Sequence, residues 1–191
     1  MSDPFAPSIA DHRRLVEWLE TQLPLLQQAG QMIAGAIEAG HCVYLLGNGG
    51  SAADAQHIAA ELVGQFKRAR RALPAVALTT DTSCLLAISN DYGFGHVFAR
   101  QVEALVRPGD VVWALSTSGN SPNVIEAVQV ARGLGARTIG FTGRTGGKLK
   151  PLCDLCLCAD HTSSDRLQEI HQLAYHMICD YVEQRFTRPP T

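Results

Sequence analysis

The chain has 191 residues, 46% of them hydrophobic and 18% charged, with a formal net charge of −2. That length suits one ordinary globular domain with a full core, and the composition excludes a disordered chain and a binder of nucleic acid by bulk positive charge. No apolar run reaches about 18 residues, Met1–Pro7 lacks a basic stretch followed by an apolar core, and the six cysteines show no small-secreted-domain spacing. A cytoplasmic protein without a membrane span is expected.

Asp3–Pro7 reads as loose chain. From Ser8 to Ala39, Ile9, Leu15, Val16, Leu19, Leu23 and Leu26 recur at helical spacing, which predicts two packing helices. Pro24 should kink or break them, Gly30 is a second possible break, and Gly40 is a plausible C-terminal cap. Next, short apolar runs alternate with helical segments. The predicted strands are Cys42–Leu46, Ala75–Leu78, Val111–Leu115, Thr138–Phe141 and Leu155–Cys158. The predicted helices are Ala52–Phe66, Thr82–Ile88, Gly95–Leu105 and Asn123–Gly133, with a short one near Gly147–Leu152. Continuous rather than alternating apolar strands indicate a parallel sheet covered on both faces. The alternation implies an α/β fold: a three-layer, doubly wound, five-stranded parallel sheet preceded by N-terminal helices. A long helix is predicted over Ser164–Phe186, and Thr187–Thr191 is expected to fray.

Two strand-to-helix turns stand out. Gly47-Asn48-Gly49-Gly50-Ser51 follows the first strand, and Ser116-Thr117-Ser118-Gly119-Asn120-Ser121 follows the third. Free amides of a first helical turn, glycines without a Cβ and hydroxyl side chains together suit a phosphate. Ser51 could cap its helix or bond a phosphate oxygen. Both turns lie at the carboxyl ends of strands, where open α/β sheets bind ligands. On the helix after the first turn, His57 and Glu61 stand at i and i+4 and share one face.

Several neighbouring features have plainer readings. Asp81 or Thr82 reads first as a helix cap, and Asn90-Asp91-Tyr92-Gly93 reads first as a turn whose polar side chains could also bond sugar hydroxyls. Gly47-x-Gly49-x-x-Ala52 fits a degenerate dinucleotide fingerprint, but Asp81 lies too far on to be its acidic partner. Cys153-x-x-Cys156-x-Cys158 has no second Cys/His pair at zinc-site spacing, so buried thiols are expected. On the last helix His171 and His176 point to different faces, and a histidine on so apolar a helix is most often a packed one. Gln168 and His176 are about 12 Å apart along a helix axis. If both serve one site, the helix starts after Gln168 or the two come from different subunits.

Gly-Asn-Gly-Gly-Ser at 47–51, Ser-Thr-Ser-Gly-Asn-Ser at 116–121 and Arg-x-Gln-Glu-x-His at 166–171 resemble the sugar isomerase (SIS) family. The pair His57 and Glu61 with Gln168 and His176 resembles its phosphoheptose isomerase group. The likeness spans roughly residues 10–186. It implies a single SIS domain of flavodoxin-like fold over residues 1–191, in a cytoplasmic homotetramer with active sites between subunits. It also implies an aldose–ketose isomerisation of sedoheptulose 7-phosphate that opens the route to ADP-heptose and the lipopolysaccharide core. By position, Ser116, Thr117, Ser118 and Ser121 would hold the phosphate. Asn48, Gly49, Gly50, Asn90, Asp91, Gln168 and Glu61 would contact substrate, with Ser51 close by. Glu61 and His176 would be the acid/base pair, and zinc would sit on His57, Glu61, Gln168 and His176. The alternative within the family is a non-catalytic partner of the bacterial replication initiator, which needs no acid/base pair. A sugar-phosphate sensor would normally carry a DNA-binding domain in addition.

Overall fold

A computed structural model describes residues 3–187, so the expected fraying beyond Thr187 lies outside the described residues. Two helices come first: α1 (Ala6–Glu20) and α2 (Leu23–Glu38). Pro24 does not kink a helix. It lies at the start of α2, where a missing N–H costs nothing. Gly30 does not break α2 either. A Cβ there would lie 2.5 Å from the Tyr181 ring, so the glycine permits close packing. The segment read as loose begins α1 at Ala6, with Pro7 in the first turn.

The sheet comprises β1 (Val43–Gly47), β2 (Ala75–Ala77), β3 (Val111–Ser116), β4 (Arg137–Gly143) and β5 (Leu155–Ala159), all parallel, in the order β2-β1-β3-β4-β5. The intervening helices are α3 (Gly50–Val63), α4 (Thr82–Tyr92), α5 (Ala99–Leu105) and α6 (Pro122–Gly133), and α7 (Ser164–Phe186) closes the described chain. Alternate residues of each strand serve different layers. Val43, Leu45, Val111, Trp113 and Leu115 join one core with Leu15, Ile33, Ile58, Ile170 and Val182 from α1, α2, α3 and α7. Leu46, Val112 and Ala114 join the other with Val102, Val124 and Val128 from α5 and α6. Both faces of β3 are therefore buried along its whole length, which is why its sequence shows no polar alternation.

The expected α/β class and five parallel strands are observed, with boundary shifts of one or two residues. Two larger differences concern the segment after β2. Asn90 and Asp91 do not form a turn: α4 runs through Tyr92 and ends at Gly93, whose φ of 88° suits a residue without a Cβ. The predicted helix Gly95–Leu105 is a short 3-10 turn at Phe94–His96 followed by α5. Asp81 caps α4 as read, its carboxylate accepting from Cys84 N at 2.9 Å. The three clustered cysteines are half-buried rather than fully buried. Cys156 Sγ lies 3.7 Å from Cys158 Sγ, and the adjoining Cys153 thiol together with burial pushes Cys156 up to about 11, so it stays protonated.

Candidate active site

The order β2-β1-β3 makes the gap beyond β1 and β3 the point where chain direction along the sheet reverses, the usual ligand crevice of such sheets. Both predicted turns end there. Gly47 ends β1, Gly49 (φ 55°) precedes α3, and Gly49 and Gly50 are exposed. Ser51 is not a cap: it lies inside the first turn of α3 and is buried. Ser116 ends β3, and its Oγ lies 3.1 Å from Ser121 Oγ. Thr117 Oγ1 lies 3.3 Å from Ser164 Oγ on α7, and Ser118 Oγ accepts from Asn120 N at 3.1 Å. Ser121 precedes α6 without capping it, so its hydroxyl is not committed to the helix.

The turns are joined by a clasp that sequence reading missed. Asn48 Nδ2 donates to Asn123 Oδ1 and Asn123 Nδ2 donates to Asn48 Oδ1, both at 2.9 Å. Asn123 also accepts from Val124 N. Each asparagine looks like an ordinary loop residue in sequence. The pairing depends on β1 and β3 being neighbours, which local pattern does not reveal.

About two helix turns along α3, the second constellation assembles. His57 Nε2 lies 2.9 Å from Glu61 Oε1, as the i,i+4 spacing predicts, and His176 Nε2 from α7 comes within 3.5 Å of His57 Nε2. His57, Glu61 and His176 can each offer a ligand atom within 4.8 Å of the others, which is metal-site spacing. All three are partly buried. Phe66 stacks on the His176 ring at 5.4 Å with planes 18° apart. Burial first, and neighbouring His57 second, hold His176 below the ordinary imidazole range.

The turn carrying Phe66 is tied to α7 by a buried carboxylate. Glu183 accepts from the backbone N–H groups of Phe66, Lys67 and Arg68 at 2.8–2.9 Å and faces Arg70 at 3.4 Å. Arg70 donates in turn to the Glu61 carbonyl at 2.6 Å. Behind His57, Tyr175 Oη lies 3.0 Å from Nδ1. None of these supports stood out in the sequence, because each lies on an apolar stripe or in a basic stretch that reads as solvated surface.

Other predicted residues fall elsewhere. Gln168 lies on α7, which is helical from Ser164, so the possibility that the helix starts after Gln168 is excluded. Its amide stands against Gly50, where a Cβ would be 2.5 Å from Nε2, at the start of α3 and apart from the His57 cluster. Asn90 and Asp91 are exposed in the last turn of α4, where Asn90 Nδ2 donates to Asp91 Oδ1 at 2.8 Å, and among the described residues their hydrogen bonds do not reach the turns. His171 is fully buried in the core, as the plainer reading of that helix expected.

A family model described as SIS domain matches residues 9–143. The chain is 52% identical over 182 residues to the phosphoheptose isomerase of Roseiflexus sp., covering 95% of this chain and 91% of that one. It is 49% identical over 179 residues to that of Aliarcobacter butzleri, covering 94% and 95%. The solved phosphoheptose isomerase from Neisseria gonorrhoeae matches with a TM-score of 0.88 and 44% identity, covering 94% of this chain and 96% of that one. With likeness of this degree over nearly the whole length, the chain belongs to the phosphoheptose isomerase family of SIS-domain proteins.

Proposed function

We propose that this enzyme interconverts D-sedoheptulose 7-phosphate and D-glycero-D-manno-heptose 7-phosphate, the first step toward ADP-heptose for the lipopolysaccharide core. The observation that carries the reading is the meeting of Glu61 and His176 beside His57, next to two phosphate-type turns at one end of the sheet. A non-catalytic partner of the replication initiator has no use for that pair.

The reaction moves one proton between carbons and one between oxygens. Glu61 Oε1 faces His57, leaving Oε2 to take the C1 proton of the ketose and return it to C2 through an enediol. His176, held toward its neutral form, takes the O1 proton and delivers it to O2. Ser116, Thr117, Ser118 and Ser121, with the α6 amides, hold the phosphate and fix C1 and C2 against the acid/base pair. Asn48, Gly49, Gly50, Asn90, Asp91 and Gln168 contact the sugar, with Ser51 beneath the turn.

Two nitrogens and a carboxylate oxygen form a donor set suited to zinc. His57, Glu61, His176 and Gln168 would hold it, and when bound it would polarise the sugar carbonyl or order the site. Gln168 and His176 lie on one continuous helix, eight residues and about 12 Å apart. For Gln168 to join His176 at one metal it would have to come from a second subunit, an arrangement that the proposed homotetramer with shared sites allows. No described helix is long and apolar enough to cross a membrane, in keeping with a cytoplasmic enzyme.

The test is a coupled assay on sedoheptulose 7-phosphate with metal-stripped protein, with and without added zinc. Turnover establishes the activity, and its zinc response shows whether the metal works in it. No turnover in either state, from intact tetramer, overturns the reading.

A further inference from the structure

The support behind His57 goes deeper than one hydroxyl. Tyr175 on α7 is fully buried. Its Oη lies 3.0 Å from His57 Nδ1 and 3.4 Å from Asp54 Oδ1. Asp54 stands one turn before His57 on α3, and its second oxygen, Oδ2, is buried with no partner among the described residues.

The proton count fixes the direction of these bonds. A phenol has one proton to give. If Tyr175 gave it to His57 Nδ1, Asp54 would be left with no donor, since no other hydrogen bond reaches its carboxylate among the described residues. A poorly solvated carboxylate without a donor is the costlier arrangement. The phenol therefore donates to Asp54, and its oxygen accepts from a proton on His57 Nδ1. With that proton on Nδ1, Nε2 faces Glu61 Oε1 at 2.9 Å and His176 Nε2 at 3.5 Å, a contact that calls for either a shared proton or a cation between the nitrogen and the carboxylate.

We infer that Asp54 and Tyr175 are positioning residues that keep the His57 proton on Nδ1, selecting the tautomer whose Nε2 a divalent cation can take. Neither touches substrate or metal. The inference rests on the metal reading above only for its purpose. The tautomer itself is a property of the metal-free chain. Outer partners of this kind orient ligating imidazoles and tune their affinity for metal.

Two conservative variants test it. Asp54→Asn keeps the shape but offers an N–H to the phenol oxygen, which redirects the phenol proton to Nδ1 and moves the imidazole proton to Nε2. Tyr175→Phe keeps the buried ring and removes the bridge. The first readout is the His57 tautomer in metal-free full-length protein, by long-range proton–nitrogen correlation with labelled histidine, assigned by its loss in His57→Gln. Nδ1–H in the wild type and Nε2–H in Asp54→Asn are expected. The second is zinc affinity by competition with a chromophoric chelator. A loss on the order of 10- to 100-fold is expected in both variants, with circular dichroism spectra unchanged. An Nε2–H tautomer in the metal-free wild type overturns the inference, as does unaltered zinc affinity in both variants. A wild type that shows Nδ1–H but takes no zinc upholds the tautomer lock and refutes the metal reading, so the two fail separately.

Discussion

Two histidines of α7, five residues apart, meet opposite environments. Five residues turn a helix by about 140°, which sends His171 into the core and His176 to the rim of α3. His171 donates from Nε2 to the Thr142 carbonyl at 3.1 Å and packs against Phe141, and its Nδ1 is buried without a partner among the described residues. Burial pushes it down to about 4, with the Thr142 bond opposing. His176 keeps partial exposure, a stacked phenyl ring and two potential co-ligands. The same imidazole is a spacer with one hydrogen bond in the first case and, in the proposed mechanism, a proton carrier in the second. What separates them is access to solvent and to other ionisable groups, not residue type.

The sharpest way to break the contrast is to remove the chemistry that gives His176 its role. Glu61→Gln should lower kcat by about 10⁴ while sugar-phosphate binding, read by calorimetry, persists. Retained turnover would remove Glu61 from the mechanism. His176→Gln should cost about 10²- to 10⁴-fold in kcat with little change in thermal midpoint. His171→Leu should do the converse, leaving kcat per folded molecule within about twofold and lowering stability in urea by roughly 1–3 kcal/mol at pH 7. Equal kinetic losses from both histidines would erase the distinction.

Acid titration sharpens the comparison further. His171 has a folded pKa of about 4 against an ordinary value of 6.5. Between those pH values the unfolded chain takes up a proton that the folded chain refuses, so stability falls as pH falls. The loss tends to about 3 kcal/mol by pH 4. Urea unfolding from pH 7 to 4 should show that slope in the wild type and a shallower one in His171→Leu. The smallest effect belongs to Phe66→Leu, which removes the ring stacked on His176 and should lower kcat less than about tenfold, since such stacks contribute about 0.5–1.5 kcal/mol.

Much of the fold was legible because it is written locally. The apolar runs, the helix periods and the i,i+4 pair His57 and Glu61 need only near neighbours. Asp81 was readable as a cap for the same reason. Asn90 and Asp91 misled because turn-forming side chains can also finish a helix, and only the backbone of Gly93 decides where α4 stops. The site was legible through its two turns and the family resemblance. Its supports were not. The clasp of Asn48 with Asn123, the reach of Tyr175 to His57 and the grip of Glu183 on the Phe66 turn each join segments more than 70 residues apart, and no local signal encodes such a pairing.

The clasp carries a consequence of its own. Two amides that satisfy each other bring no net charge and titrate at no ordinary pH. The span between the glycine turn and the hydroxyl turn is thus set by a neutral fastener, and the proposed attraction for a phosphate dianion would come from backbone amides and helix ends whose charge is equally fixed. Arrival or departure of the phosphate calls for no proton exchange at that hinge. On the proposed reading the two turns are a passive socket for phosphate, and the protons of the reaction are handled on the His57 side of the crevice.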